Sequence, residues 1–300
     1  MGTAPFAVPA LEAVAEHVCL VVSQPDRKSG RGLKLQPSPV KAKALELNLP
    51  IETPEKCRVP EFVEKLRSLN ADVLLVAAYG QILSTQVLES TKYGGINLHG
   101  SILPEYRGAA PIQRAIEDGL KETGVTLMQM DKGMDTGDII AIEKCPIDPD
   151  GTSLDLAIKL SDLAAKMSKE WMPKICEGSY PRTPQDDNKA TYAAKLTKEE
   201  AELDLEKDAQ SQYNKFRAFT PNPASFINTR FGYIKLTKAL YDPIQHDAKP
   251  GEIIESKDHL VIAFKKNALK LVEVQPAGKK RVSGRDFANG THLKPGDNIL

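Results

Sequence analysis

Asn97 and His99 stand two residues apart in GGINLHGSILPEYRGAAPIQ (94–113), where a short apolar run opens into a Gly/Pro-rich loop. In a strand, side chains at i and i+2 point to the same side, so an amide and an imidazole can converge there on one reacting group. The pair offers a hydrogen-bond donor together with an imidazole base. Attack of an amine on an activated acyl carbon creates an oxyanion and an ammonium at once, and these two groups match the two demands. Taken alone, a histidine at a strand end is more often a capped or core residue. Asp135, in MDKGMDTGD (130–138), adds a carboxylate between Gly133 and Gly137 just after another apolar run. It could orient His99, stabilise its imidazolium or accept a proton through water; the bland alternative is a turn aspartate bonded to its own backbone.

The two motifs together change the weighing. GGINLHGSILPEYRGAAPIQ and MDKGMDTGD closely resemble the folate-dependent formyltransferases, and RGAAPIQRAI (107–116) resembles the branch of that family that acts on methionyl-tRNA. The resemblance extends through QPDRKSGRGLKLQPSPVK (24–41), VAAYGQIL (76–83), TYAAKLTKEEAELD (191–204) and LVEVQPAGKK (271–280). It implies Asn97, His99 and Asp135 as catalytic residues, with Met134 replacing a common Leu. It also implies folate contacts at Ser101, Ile102, Leu103 and Pro104, where Ile102 is a mild variation. Glu105 stands where a basic residue is more usual, which puts an electrostatic contact to the folate's acidic tail there in doubt.

PDRKSGRG (25–32) places Arg27, Lys28 and Arg31 in a Gly-containing segment, with Lys34 just beyond. Long cationic side chains on a flexible tether can follow phosphates and order when a partner arrives; an exposed, solvated loop is the plain alternative. The resemblance implies that this loop meets the tRNA acceptor end, with Arg31 at the family's key arginine. No Lys-Ser/Thr follows the glycines, so it is not a phosphate-cradling loop of the Walker type.

These side chains need a scaffold. VCLVV (18–22), DVLLVAA (72–78), GGINLH (94–99) and VTLMQM (125–130) read as strands, and LEAVAEH, PVKAKALELN, EFVEKLRSLN and APIQRAIEDG between them as helices. The alternation predicts a doubly wound parallel α/β sheet that binds ligands beyond the carboxyl ends of its strands. A further strand at 138–147 precedes an amphipathic helix over 153–176 with Trp171 in its buried stripe. A polar, proline-containing linker follows, and then a helix at 207–219 and short alternating runs that predict a small barrel, OB-like by resemblance. The expected division is a catalytic domain over 1–180, a linker over 181–203 and a basic β-barrel domain over 204–300. The family's chains begin with an apolar strand ending in a Gly-Thr turn. Here Met1 directly precedes Gly2-Thr3, so the sheet is expected to lack its first strand, through a start placed too far downstream or in a less active remnant.

Composition sets outer bounds. With 41% hydrophobic and 27% charged residues over 300, and no apolar run of membrane length, the chain reads as globular with room for two cores. No secretory leader pattern opens it, which implies a cytoplasmic protein. Cys19, Cys57, Cys145 and Cys176 form no C-x-x-C, and the five histidines are scattered, so reduced thiols and no metal are expected. The net charge of zero conceals an uneven split: residues 211–300 carry 15 Lys/Arg against 8 Asp/Glu, or +7, and the rest carries −7. A basic module beside an acidic one suits a polyanion held by the former and small-molecule chemistry done by the latter. The expectation is formyl transfer from 10-formyltetrahydrofolate to methionyl initiator tRNA, with no membrane and no obligate protein partner. Amino-sugar formyltransferase, formyltetrahydrofolate hydrolase and a catalytically dead tRNA-binding remnant are the alternatives.

Overall fold

The apolar runs Leu74–Val76 and Gly95–His99 lie side by side as parallel strands, with Leu74 opposite Gly95 and Val76 opposite Asn97. On the other flank of Gly95–His99, strand Glu122–Gln129 runs antiparallel, with His99 facing Thr126, and Ile139–Pro146 pairs antiparallel to that. The sheet is therefore mixed, not the all-parallel sheet expected. Apolar spacing marks a strand but not its direction. Because Thr126 lies opposite His99, the chain re-enters the sheet near the end at which it left.

The computed structural model describes residues 1–29 and 34–300. Val21–Val22 and Ile51–Glu52 form a further parallel pair. The place expected to be empty beside them is partly filled. The Gly2 N–H donates to the Val22 carbonyl at 2.9 Å and the Ala77 N–H to the Met1 carbonyl at 3.0 Å, so Met1 and Gly2 bridge the two parallel pairs. Helix Pro39–Glu46 starts on Ser38, whose hydroxyl accepts from the Lys41 N–H, with proline in its first turn. Helix Pro60–Ser68 buries Phe62, Val63 and Leu66 on one stripe, in a core with Leu74, Val76 and Val87. Helix Ser153–Cys176 buries Leu156, Leu160, Ala164 and Met167 at spacings of four and three. Trp171, expected in that stripe, is only half-buried, with the Lys174 ammonium 4.2 Å from its ring centroid.

The chain divides into two compact units. One comprises Met1–Pro111, Glu122–Pro146 and Ala157–Ala193; the other comprises Ile112–Lys121, Ile147–Leu156 and Ala194–Leu300. The second is built on an antiparallel sheet in the order Phe226–Thr229, Gly232–Asp242, Ala268–Pro276, Leu260–Ala263, Ile253–Glu255, with Val282–Ser283 also paired to Ala268–Pro276. Irregular pairing around Leu236 and Lys238 curls it. Its inner face packs on Tyr213 and Phe216 of helix Ala209–Phe219 and on Phe287 of helix Gly284–Thr291.

The OB-like barrel expected there is reached only in part. Among the described residues the end strands do not pair with each other, so the sheet remains an open half-barrel. Each end is covered by a neighbouring segment instead: the Leu203 N–H donates to the Phe226 carbonyl at 2.8 Å, and the Ile253 N–H to the Asp297 carbonyl at 2.8 Å. Edges protected this way do not need closure.

Candidate active site

Pairing of Gly95–His99 on both sides fixes the backbone beneath Asn97 and His99, so their common direction follows from the strand's two-residue period. The loop 130–138 doubles back over them. It closes on itself through Asp131, whose carboxylate accepts from the Gly133 N–H at 2.9 Å and the Thr136 hydroxyl at 2.7 Å. Gly137 permits the closure, since a Cβ there would lie 1.8 Å from the Gln129 carbonyl oxygen. Asp135 takes the left-handed conformation, with φ 57°. That conformation costs a non-glycine residue on the order of 1 kcal/mol and persists where its surroundings hold it.

What holds Asp135 is a pair of donors, with His99 beside them. One carboxylate oxygen, Oδ2, accepts from the Gly108 N–H at 2.8 Å. The other, Oδ1, lies 3.4 Å from the Asn97 amide nitrogen. His99 Nδ1 stands 3.6 Å from Oδ2, and the histidine is buried. Its second nitrogen, Nε2, donates to the Tyr106 carbonyl at 2.9 Å. A carbonyl oxygen only accepts, so Nε2 carries a hydrogen and Nδ1 is the nitrogen left to take a proton. An imidazolium formed there would face a carboxylate. The structure thus brings Asn97, His99 and Asp135 together around one side chain.

Residues 106–108 supply two of these contacts from their backbone, and they are themselves tethered. Arg107–Gly108 pairs in parallel with Tyr192–Ala193. Gly108, with φ 119°, would drive a Cβ to 2.9 Å from the Ala193 carbonyl oxygen, so only glycine suits this approach. The Arg107 side chain is almost wholly buried. It donates through Nε and Nη2 to Gln185 Oε1 at 3.1 and 2.9 Å, and through Nη2 to Asp187 at 2.8 Å. Gln185 in turn donates to the carbonyls of Asp135 and Gly137 at 2.9 and 2.7 Å. Sequence reading missed this frame. Backbone donors leave no signature in residue type, and Gln185 lies in a stretch read as a linker.

The segment expected to meet folate turns tightly beside the strand. Ser101 is buried, its hydroxyl donating to the Glu105 carbonyl at 2.6 Å, and Thr126 joins the Ser101 carbonyl and the Leu103 N–H at 2.7 and 3.0 Å. Leu103 is buried too, which leaves Ile102 and Pro104 as the half-buried apolar surface and Glu105 exposed. Arg27, Lys28 and Lys34 belong to a two-stranded hairpin, Arg27–Ser29 with Lys34–Gln36, rather than to a loop. Ser29 faces Lys34 and Lys28 faces Leu35, so Arg27 and Lys34 share one face and Lys28 points to the other. All three are exposed. Arg31 lies outside the described residues.

Comparison with known proteins gives the family. The formyl transferase model matches residues 9–173, and the model of the formyl transferase C-terminal domain matches residues 195–292. A methionyl-tRNA formyltransferase of Sorangium cellulosum is 43% identical over 98% of this chain and 96% of its own length. One of Neisseria meningitidis is 42% identical over 99% and 98%. The chain belongs to the methionyl-tRNA formyltransferase family. Solved structures support the fold at lower identity. The N-formyltransferase of Helicobacter canadensis, in complex with folinic acid and dTDP-3-aminofucose, superposes with TM-score 0.66 at 19% identity over 90% of this chain and 96% of that one. A methionyl-tRNA formyltransferase from Clostridium thermocellum gives 0.52 at 23% identity, over 64% and 81%. Among the described residues no helix is long and apolar enough to cross a membrane, and no group of three His, Cys, Asp or Glu could hold a metal ion.

Proposed function

We propose that this chain moves the formyl group of 10-formyltetrahydrofolate to the α-amino group of methionine esterified to initiator tRNA, in the cytoplasm. The observation that carries the reading is the Asp135 carboxylate set between Asn97 and His99 in a member of this family. The amine attacks the formyl carbon, forming the new C–N bond and an oxyanion. An amide nitrogen carries two hydrogens; with one directed at Asp135, the other is free for that oxyanion. His99 Nδ1 takes the proton of the attacking nitrogen, and Asp135 stabilises the imidazolium. As the C–N bond to the folate N10 breaks, that proton passes to N10, and formylmethionyl-tRNA and tetrahydrofolate leave.

Ile102 and Pro104, with the buried Ser101 and Leu103 holding their turn, supply the apolar surface for the folate. Its acidic tail would lie away from Glu105, where like charge would repel it. Arg27, Lys28, Arg31 and Lys34 are assigned to phosphates of the acceptor end, and the basic stretch over residues 211–300 to the remainder of the tRNA. The deciding assay offers one labelled formyl-folate to methionyl initiator tRNA and to a nucleotide-linked amino sugar together. Label on the tRNA is expected. Label on the sugar, release of formate without acceptor, or tRNA binding without turnover would each replace the reading with one of its rivals.

A further inference from the structure

Gln185 is joined to the catalytic cluster by contacts whose direction is fixed. Its Oε1 accepts two N–H groups from Arg107, at 3.1 and 2.9 Å. A guanidinium has no acceptor, so the amide oxygen must face it and the NH2 must face the other way. On that side stand two acceptors, the carbonyls of Asp135 and Gly137, at 2.9 and 2.7 Å. An amide turned over would set NH2 against Arg107 and oxygen against two carbonyls, losing every bond. The buried arginine therefore sets the orientation of the glutamine, and the glutamine grips the loop on both sides of Thr136.

The grip acts where geometry matters most. Asp135 is held in the left-handed conformation, and its carboxylate must meet Gly108, Asn97 and His99 at once. Three consecutive residues control that meeting: Tyr106 holds His99 by its carbonyl, Arg107 holds Gln185 by its side chain, and Gly108 holds Asp135 by its N–H. We propose that Gln185, oriented by Arg107, is a positioning residue for formyl transfer: it sets where the Asp135 carboxylate stands relative to His99 and Asn97, without touching either substrate. The proposal rests on the catalytic reading of those three residues.

Gln185→Leu removes the donor and keeps approximate bulk, and Gln185→Glu keeps an acceptor for Arg107 but sets a carboxylate against two carbonyls. Both should lower kcat about ten- to hundredfold, the loss of one to two hydrogen bonds that count in the transition state, with KM for charged tRNA within about twofold. On an Asp135→Asn background the same changes should cost little more, because the group they position is already impaired. A readout free of catalysis is the Gly108 amide proton in the nuclear magnetic resonance spectrum of the isotopically labelled full chain. It should move upfield and exchange faster in both variants as Asp135 Oδ2 withdraws.

Wild-type kcat in a folded Gln185→Leu protein, or an equal loss on the Asp135→Asn background, would overturn the proposal. So would an unmoved Gly108 resonance. If the wild-type chain formylates no tRNA, the functional reading fails instead, and the Gly108 resonance still reports whether Gln185 controls Asp135. Should the Leu variant not fold, the Glu variant gives the same readings.

Discussion

In the proposed reaction Asn97 and His99 serve the transition state in different ways, and their replacement should show it. Asn97→Ala removes a donor to the oxyanion and should lower kcat about 10²–10³-fold; Asn97→Asp, which puts a second carboxylate near Asp135, should lower it at least as far. His99→Ala removes the base and should cost about 10²–10⁴-fold. Asp135→Asn keeps the shape but gives up the charge facing Nδ1, now 3.6 Å away. Its loss should show in kcat rather than in KM. Steady-state kinetics with charged initiator tRNA, beside direct measurement of tRNA affinity, test all of these; near-normal turnover in the three would reject the site. The two motifs that carry these residues could be read from the sequence because their chemistry depends on side-chain type and spacing. The contacts that hold them could not: the Tyr106 carbonyl and the Gly108 N–H are backbone groups, whose use residue type does not reveal.

At the scale of elements, the basic hairpin separates two effects that a loop would blend. Arg27 is bonded to Gln24 at 2.5 Å, whereas Lys28 and Lys34 point to opposite faces of a two-stranded ribbon. If one face follows the acceptor end, charge reversal on that face should raise KM for tRNA about tenfold or more and leave kcat at saturation within about twofold. Reversal on the other should do much less. Lys28→Glu and Lys34→Glu, assayed in parallel, make the comparison; equal effects of both would indicate long-range attraction without a docking face. Gly137→Ala tests the loop 130–138 in the same way. The new methyl meets the Gln129 carbonyl oxygen, which is backbone and cannot swing aside, so a loss of about 1–3 kcal/mol in unfolding free energy is expected along with poor turnover. Strand positions at 72–78, 94–99 and 125–130 were legible because apolar runs of that length need a sheet. The direction of Glu122–Gln129 was not, because direction depends on where the intervening chain re-enters. The barrel was misjudged for a related reason: the short runs show in the sequence, but the segments that cover the end strands are irregular and carry no periodicity.

At the scale of the whole molecule, the +7 balance of residues 211–300 predicts that tRNA affinity falls steeply with salt. Neutralising about four phosphates would cost about a hundredfold in affinity between about 50 and 200 mM salt, and a flat response would remove the basic tail from tRNA binding. That titration belongs to the full chain, because the second unit is not one stretch of sequence. It draws in residues 147–156, where the Asp148 and Gly151 carbonyls accept from the buried Arg217 guanidinium at 3.1 and 2.9 Å and Asp150 accepts from the Tyr213 hydroxyl at 2.9 Å. Ser153 adds a bond to the Thr220 carbonyl at 2.7 Å. A fragment from Ala194 to Leu300 gives up all four bonds. Lost hydrogen bonds to a buried cation cost about 1–3 kcal/mol each, and a unit of this size has only about 5–15 kcal/mol in hand. The fragment should therefore melt well below the same unit in the intact chain, by about ten degrees or more, with a broad transition. Calorimetry of fragment and full chain, with Arg217→Met in both, tests the cause. Arg217→Met should lower the melting temperature of the second unit in the full chain and change the fragment's less, because the fragment has already lost the Asp148 and Gly151 carbonyls and keeps the arginine's bond to Asn214 Oδ1 at 2.8 Å. A fragment as stable as the intact unit would show that residues 147–156 lie against the sheet without supporting it.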